Sequence, residues 1–238
     1  MDEKHRAPDV ERTACLTHGL LPEHFLHAAE AGELQSPSRR GEKSKRAGDQ
    51  RANGGTAVYT RAIGTEHADV PPHVAGVGSG ASKVQVIMSP EILEDEDHQW
   101  RASTYDRNGS LPGSVPAGKR EQDLSIEEKW GKQTRSARNQ EFNKTVETGG
   151  AAHLQNEQAH YESIPLKGTV RGVVCTGKDA FDKLMASPRA TQTDATHGTI
   201  EIDGEQVPVV FVDEAKDDRS LLDVLKDEGI ANEAGQVR

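Results

Sequence analysis

Alternating apolar and polar positions predict β-strands at intervals along the chain. The stretches TAVYTRAIG (residues 56–64), KVQVIM (83–88) and GTVRGVVCT (168–176) are rich in β-branched and aromatic residues. Such residues favour the pleated, half-buried surface of a sheet. We therefore expect strands in all three stretches, and the segment from 153 to 175 is expected to hold two strands around an Ile-Pro turn.

A hairpin is predicted near the C-terminus. The runs TIEI (199–202) and QVPVVFV (206–212) flank Asp203-Gly204. An Asp-Gly pair between two apolar runs is typical of a tight turn in which both residues have positive φ. Strands therefore dominate the second half of the chain.

Four stretches carry helix signals. Ser89-Pro90 has an N-cap followed by proline and predicts a short helix over 92–100. A capping box that begins at Ser125 predicts a polar surface helix over 129–142. Two further helices are expected, one after the Val-rich strand in DAFDKLMAS (179–187) and one near the C-terminus in DRSLLDVLKDEG (218–229), which ends at Gly229.

The N-terminal part has a different pattern. Leu21, Phe25, Leu26 and Ala29 follow Pro22 at helical spacing and predict a short amphipathic helix over about 22–34. Residues 35–55 are dense in Ser, Gly, Lys and Arg, which predicts a disordered linker. We therefore expect a leader over residues 1–55, with a possible docking site for a secretion chaperone, and one α+β domain over 56–238.

Composition and net charge argue against several classes of function. The apolar content of 33% is low beside 29% charged residues, so part of the chain is expected to lack a core. A net charge of −10 argues against a nucleic-acid-binding or anionic-membrane-binding protein. No apolar run approaches the roughly 20 residues of a membrane span, and the N-terminus lacks the pattern of a cleavable secretory signal.

Cysteine and histidine positions give no strong site. Cys15 and Cys175 are too few and too far apart for a disulfide framework, and Cys175 is expected to be a buried apolar residue, with a nucleophilic role as the alternative. His153 and His160 lie seven residues apart and lack the short paired spacing of a zinc site. We expect no metal.

Three short motifs occur in one order: VYTRA (58–62), WRAST (100–104) and HLQNE (153–157). Ser103 lies 42 residues after Arg61, and Glu157 lies 54 residues after Ser103. This set resembles the arginine, Ser-Thr-Ser and Gln-x-Glu motifs of the bacterial, cholera-toxin-like mono-ADP-ribosyltransferases. The Ile-Pro turn and Val-rich strand that follow Glu157 are also similar to that family, so the resemblance spans about residues 56–176.

The resemblance implies a split β-sheet domain with peripheral helices, and NAD as the substrate. It implies that Glu157 stabilises the ribose cation, that Gln155 presents the acceptor, and that Ser103 orients Glu157. The implied cofactor-binding residues are Arg61, Thr104 and Tyr59, and Trp100 or Tyr105 is a candidate for stacking on nicotinamide. A glutamine at position 155 disfavours an arginine acceptor.

The sequence departs from the family pattern in two places. The middle motif continues with Tyr105 where the family has a second serine, and the segment after Glu157 is more polar than the usual aliphatic strand. Glu162 is a rival carboxylate. The expected protein is an effector, secreted without a cleavable signal, that modifies a host protein side chain in the host cytoplasm; the alternatives are a catalytically inactive relative that binds a protein or peptide, and an unrelated α+β scaffold.

Overall fold

The computed structural model describes most of the chain: residues 7–41, 57–67, 69–72, 83–103, 133–147, 156–161, 163–213 and 215–237. The strands within these ranges are β1 (Thr13–Leu20), β2 (Glu33–Gln35), β3 (Ala57–Gly64), β4 (Val84–Met88), β5 (Trp100–Ser103), β6 (Glu157–Tyr161), β7 (Ser163–Pro165), β8 (Val170–Cys175), β9 (Ala190–Gln192), β10 (His197–Ile202) and β11 (Glu205–Phe211). The α-helices are α1 (Pro22–Ala31), α2 (Arg135–Glu147), α3 (Lys178–Met185) and α4 (Leu221–Asp227).

Nine of the strands form one sheet, in the order β5, β6, β3, β1, β4, β8, β11, β10, β9. Neighbouring strands in it are antiparallel except β8 and β11, which are parallel. Strands β2 and β7 pair separately. The predicted α+β class is confirmed.

Strand β1 lies in the interior of this sheet, between β3 and β4. Its register sets Thr17 against Arg61 on one side and Ile87 on the other. The N-terminal strand is therefore part of the main fold, and the sheet does not follow the division that the sequence suggested at residue 55. The helix expected over about 22–34 is present as α1, which ends at Ala31. Residues 35–41 of the linker predicted over 35–55 are described, with Gln35 in β2, while residues 42–55 lie outside the described ranges.

Each face of the sheet packs against its own set of elements. Helices α1, α2 and α3 cover one face and bury Phe25, Phe142 and Phe181 against it. On the opposite face, α4 and the C-terminal segment cover the strands from β1 to β11, where Val224 and Val237 pack with residues of those strands. Strands β3, β6 and β5 continue that second face beyond α4, and this part of the face bears the candidate site.

Local signals account for the ends of several elements. Asp203 and Gly204 both have positive φ, 48° and 83°, as the hairpin signal predicts. Ser89 caps a 3-10 turn over Pro90–Leu93. The longer helix expected over 92–100 is absent, because four consecutive acidic residues at 94–97 would repel one another in a helical turn and Trp100 is buried in β5.

Helix α2 corrects the expectation of a polar surface helix over 129–142. It runs over Arg135–Glu147 and buries Phe142 and Val146. The capping box predicted at Ser125 lies outside the described residues. In the part of the chain that the structure describes, no helix combines the length and the apolar character needed to cross a bilayer.

Candidate active site

Ser103 and Glu157 form a cross-strand pair at the end of β5 and β6. Directly opposed residues of antiparallel strands project from the same face, with Cβ atoms about 4.5–5.5 Å apart. Ser103 is fully buried, and Glu157 is 6% exposed. The structure thus brings the serine and the carboxylate of two distant motifs side by side.

Arg61 lies on the other side of Glu157. Strands β3 and β6 pair through Thr60 and Gln158, so one residue further along the antiparallel register Arg61 lies opposite Glu157. Because opposed residues share a face, Ser103, Glu157 and Arg61 form one row across three adjacent strands. We call these three residues the Ser-Glu-Arg row.

A second row lies one step along the same face. Arg101 pairs with Ala159 across β5 and β6, and Ala159 pairs with Tyr59 across β6 and β3. Tyr59 packs against Ala159 and Ala57. This face therefore has two small side chains bordered by an aromatic ring, with an arginine on each of the two strands that flank Glu157.

A side-chain amide holds the strand end next to Glu157. Asn156 Oδ1 accepts from the Ala62 backbone N–H at 2.9 Å, and Asn156 Nδ2 donates to the Ala62 carbonyl at 2.9 Å. Gln158 Nε2 donates to the same Asn156 oxygen at 3.0 Å. These bonds continue the β3–β6 pairing beyond its last backbone rung.

A second amide performs the same task on the edge strand. Gln133 Oε1 accepts from the Ala102 N–H at 3.1 Å, and Gln133 Nε2 donates to the Ala102 carbonyl at 3.1 Å. Arg101 also donates to the Gln133 carbonyl. Satisfied edge groups resist unwanted pairing, and here they fix the peptide just before Ser103.

The back of these strands carries a histidine cluster. His160 is fully buried and its two ring nitrogens lie 2.8 Å from Thr60 Oγ1 and 2.8 Å from His98 Nε2. Burial, followed by the neighbouring His98 and His18, holds the pKa of His160 well below its usual value. The ring is therefore neutral at neutral pH, and it lies on the face opposite the Ser-Glu-Arg row.

The positively charged side chain of Arg138 packs beside this histidine cluster. The Arg138 guanidinium lies 4.3 Å from the centroid of the Trp100 ring. Burial, together with Arg135 and Arg101, lowers the pKa of Arg138 to about 10. Trp100 is buried, and its indole donates to the Leu93 carbonyl, so it supports β5 from the back and does not lie on the face of the Ser-Glu-Arg row.

Several predicted residues fall outside the described ranges. They are Gln155, Thr104, Tyr105 and Glu162. Within the described ranges, no group of three or more His, Cys, Asp or Glu side chains could hold a metal ion. Cys15 and Cys175 are both buried, and burial raises the pKa of each thiol to about 12, which disfavours a nucleophilic role.

The sequence did not single out Asn156, Gln133 or His160 as parts of the site. The one available signal was local: Asn156 immediately precedes Glu157 in the third motif. Gln133 and His98 reach the site only through pairings that are remote in sequence.

Comparisons with known proteins find similarity among solved structures. No protein-family model and no curated protein sequence matches this chain. The chain is similar to Thermus sp. 2.9 DarT in complex with NAD+, with a TM-score of 0.44, 10% identity, and coverage of 88% of this chain and 98% of the DarT chain. A likeness at this level does not assign the chain to a family.

Proposed function

We propose that this protein is an NAD-dependent mono-ADP-ribosyltransferase. The observation that carries the proposal is the Ser-Glu-Arg row, in which a nearly buried carboxylate lies between a buried hydroxyl and a guanidinium on one face of the sheet. Three motifs that the sequence separates by dozens of residues supply its members.

In the proposed reaction, the bond between the nicotinamide nitrogen and ribose C1′ breaks. Its electron pair leaves with neutral nicotinamide, and positive charge develops on the ribose, as in glycoside hydrolysis. Glu157, held largely away from water, stabilises that charge more strongly than an exposed carboxylate could. The acceptor nucleophile then bonds to C1′ and loses its proton.

The neighbours of Glu157 take the supporting roles. Ser103 keeps the carboxylate in one orientation from β5. Arg61 presents a fork of N–H donors that suits the oxygens of the pyrophosphate. Tyr59, on the same face and two residues before Arg61, borders the dinucleotide, and Gln155 and Thr104 keep the roles that the resemblance implies.

The proposed acceptor is a protein side chain. A net charge of −10 favours a partner with a basic surface over a polyanionic nucleic acid. The proposed setting is an effector that leaves its producing cell without a cleavable signal, with a chaperone that binds near α1, and acts in a host cytoplasm.

The test is turnover of labelled NAD, alone, with cell extract, and with oligonucleotides. We expect nicotinamide release and labelled protein. Glu157→Gln should lower the rate by about 10²-fold or more, as loss of a preorganised electrostatic group does. Glu201→Gln, at an exposed side chain of β10, is the matched control and should leave the rate unchanged.

The outcomes separate the alternatives. Label on oligonucleotides alone would overturn the protein acceptor while leaving the reaction class intact. Silence of the wild-type protein with NAD, together with capture of a protein partner, would indicate the binding-module alternative. Turnover that survives Glu157→Gln would remove Glu157 from the site.

A further inference from the structure

Asn156 is 1% exposed and immediately precedes Glu157. Its amide makes two bonds of 2.9 Å to the backbone N–H and carbonyl of one residue, Ala62, on the neighbouring strand. A buried amide has two donors and two acceptor positions, and here its geometry copies a strand backbone. Asn156 therefore acts as an additional rung between β3 and β6.

The position of this rung matters because of its neighbours on both strands. Ala62 immediately follows Arg61, and Asn156 immediately precedes Glu157. The two hydrogen bonds thus fix the strand ends at which the guanidinium and the carboxylate face each other. Strand ends fray more readily than strand interiors, so this is where a clamp has the greatest effect on geometry.

We infer that Asn156 is a positioning residue, which acts on the reaction through Glu157 by holding it in register with Arg61. The inference rests on the proposed function. A displacement of about 1 Å between reacting groups can lower a rate by about 10²-fold. Asn156→Ala should therefore lower kcat for NAD cleavage by about 10- to 100-fold and leave KM for NAD within about twofold.

The decisive experiment is a double-mutant cycle in the full-length protein. Asn156→Ala is measured in the wild-type background and in Glu157→Gln. If Asn156 acts through Glu157, its substitution should have no further effect on the residual rate of Glu157→Gln, because groups that act as a unit are strongly non-additive. An equal loss of rate in both backgrounds would show a merely structural role and overturn the inference.

Asn143 on α2 offers a matched control. It is an asparagine of similar burial, 6% exposed, whose amide also bonds two backbone groups: Oδ1 accepts from Asp9 N at 2.7 Å and Nδ2 donates to the Ala7 carbonyl at 3.1 Å. Asn143→Ala should lower the melting temperature to a similar extent and leave kcat unchanged. A matching loss of kcat in Asn143→Ala would contradict a specific role for Asn156.

An isosteric variant separates the two bonds. Asn156→Asp can accept from the Ala62 N–H but cannot donate to its carbonyl. It should therefore lower kcat as Asn156→Ala does, and wild-type kcat in this variant would overturn the clamp. Asp has the same shape as Asn, so this variant also covers the case in which the alanine protein fails to fold.

A readout without catalysis keeps the clamp separate from the proposed function. Amide hydrogen exchange at Ala62 should accelerate by at least about tenfold in Asn156→Ala, since that N–H loses its acceptor. Unchanged exchange would overturn the clamp whether or not NAD is cleaved. Faster exchange in Asn156→Ala, together with a wild-type protein that never cleaves NAD, would instead leave the clamp standing and defeat the proposed function.

Discussion

Strands β6 and β8 are both interior strands of one sheet, yet they are built from different residues. In β8 the buried positions are filled mainly by valine, glycine and cysteine. In β6 the four buried positions are Glu157, Gln158, Ala159 and His160. A strand whose residues are buried on both faces is normally a continuous apolar run, so β8 follows the rule and β6 departs from it.

The departure is costly for stability. Burial of a polar group costs about 1–3 kcal/mol when its hydrogen bonds are not replaced. On β6 most are replaced, by Thr60 and His98 for His160 and by Asn156 for Gln158. Such a hydrogen-bond network makes the strand no more stable than packed valines would. Buried polar residues that depart from the usual apolar pattern, and whose hydrogen bonds are nevertheless satisfied, are characteristic of functional sites.

The largest expected effect is the loss of stability when either of two buried phenylalanines, one near β5 and one near β8, is replaced by alanine. Phe142 and Phe181 are both fully buried, so each substitution by alanine should lower the free energy of unfolding by about 3–5 kcal/mol. The ring of Phe142 packs edge to face against Trp100, with 5.6 Å between the ring centroids, beneath the strand that bears Ser103. Phe181 instead packs near Phe211. Denaturant unfolding measures the losses.

The same pair should differ in catalysis. NAD turnover per folded molecule should fall in Phe142→Ala, because β5 loses its support, and should be unchanged in Phe181→Ala. Equal turnover in the two variants would break the comparison, since it would mean that packing beneath β5 does not influence the Ser-Glu-Arg row.

The next effect concerns acid stability. The pKa of His160 is lowered in the folded protein by burial and by His98 and His18, so below about pH 6.5 the unfolded chain binds the proton that the folded chain refuses. Stability should fall with decreasing pH, by at most about 1.4 kcal/mol per pH unit for one proton. His160→Gln should flatten this dependence, and an unchanged dependence in this variant would contradict the assignment.

His197, in the region around β8, should make stability depend on pH in the opposite direction. Hydrogen bonds to Asp194 and Glu228 raise its pKa, so its contribution is complete below about pH 6.5 and is lost as pH rises through the folded pKa. His197 is partly exposed, and solvent screening makes this effect smaller. Thermal unfolding between pH 4 and 9 compares His160→Gln with His197→Gln, and parallel profiles of the two variants would contradict the assignment.

Sequence patterns predicted the region around β8 better than the region around β6. The hairpin at Asp203-Gly204 and the helix ending before Gly229 depend on local backbone chemistry, which short stretches reveal. The register that places Ser103 beside Glu157 depends on long-range pairing. The resemblance named both residues, whereas no local pattern could show that they are neighbours.

Two elements of the fold, β1 and α2, differ from what the sequence pattern predicts, and the reasons are related. Strand β1 is buried on both faces, so Thr13–Leu20 lacks the alternation of a surface strand and resembled part of a leader. Helix α2 buries Asn139, Asn143 and Thr145 along with its apolar residues, so it lacks an apolar stripe. In both elements, side chains bonded to remote backbone replace the periodic pattern.

The smallest expected effect is a loss of stability at α4 that leaves the site unchanged. Ser220 caps α4: its hydroxyl accepts from the Asp223 N–H at 3.1 Å, and the Asp223 carboxylate accepts from the Ser220 N–H. Ser220→Ala should lower the free energy of unfolding by about 1 kcal/mol, and Ser220→Asn, an equally good cap, should restore it.

Turnover of NAD should be unchanged in both Ser220 variants. Helix α4 covers the sheet face over β1 to β11 and not over β5 and β6, so partial fraying of its first turn leaves the Ser-Glu-Arg row in register. A loss of kcat that follows the loss of stability would mean that α4 supports the site through β1. Since Thr17 of β1 pairs directly with Arg61, that coupling would then have a defined path, and the functional region would extend to the middle of the sheet.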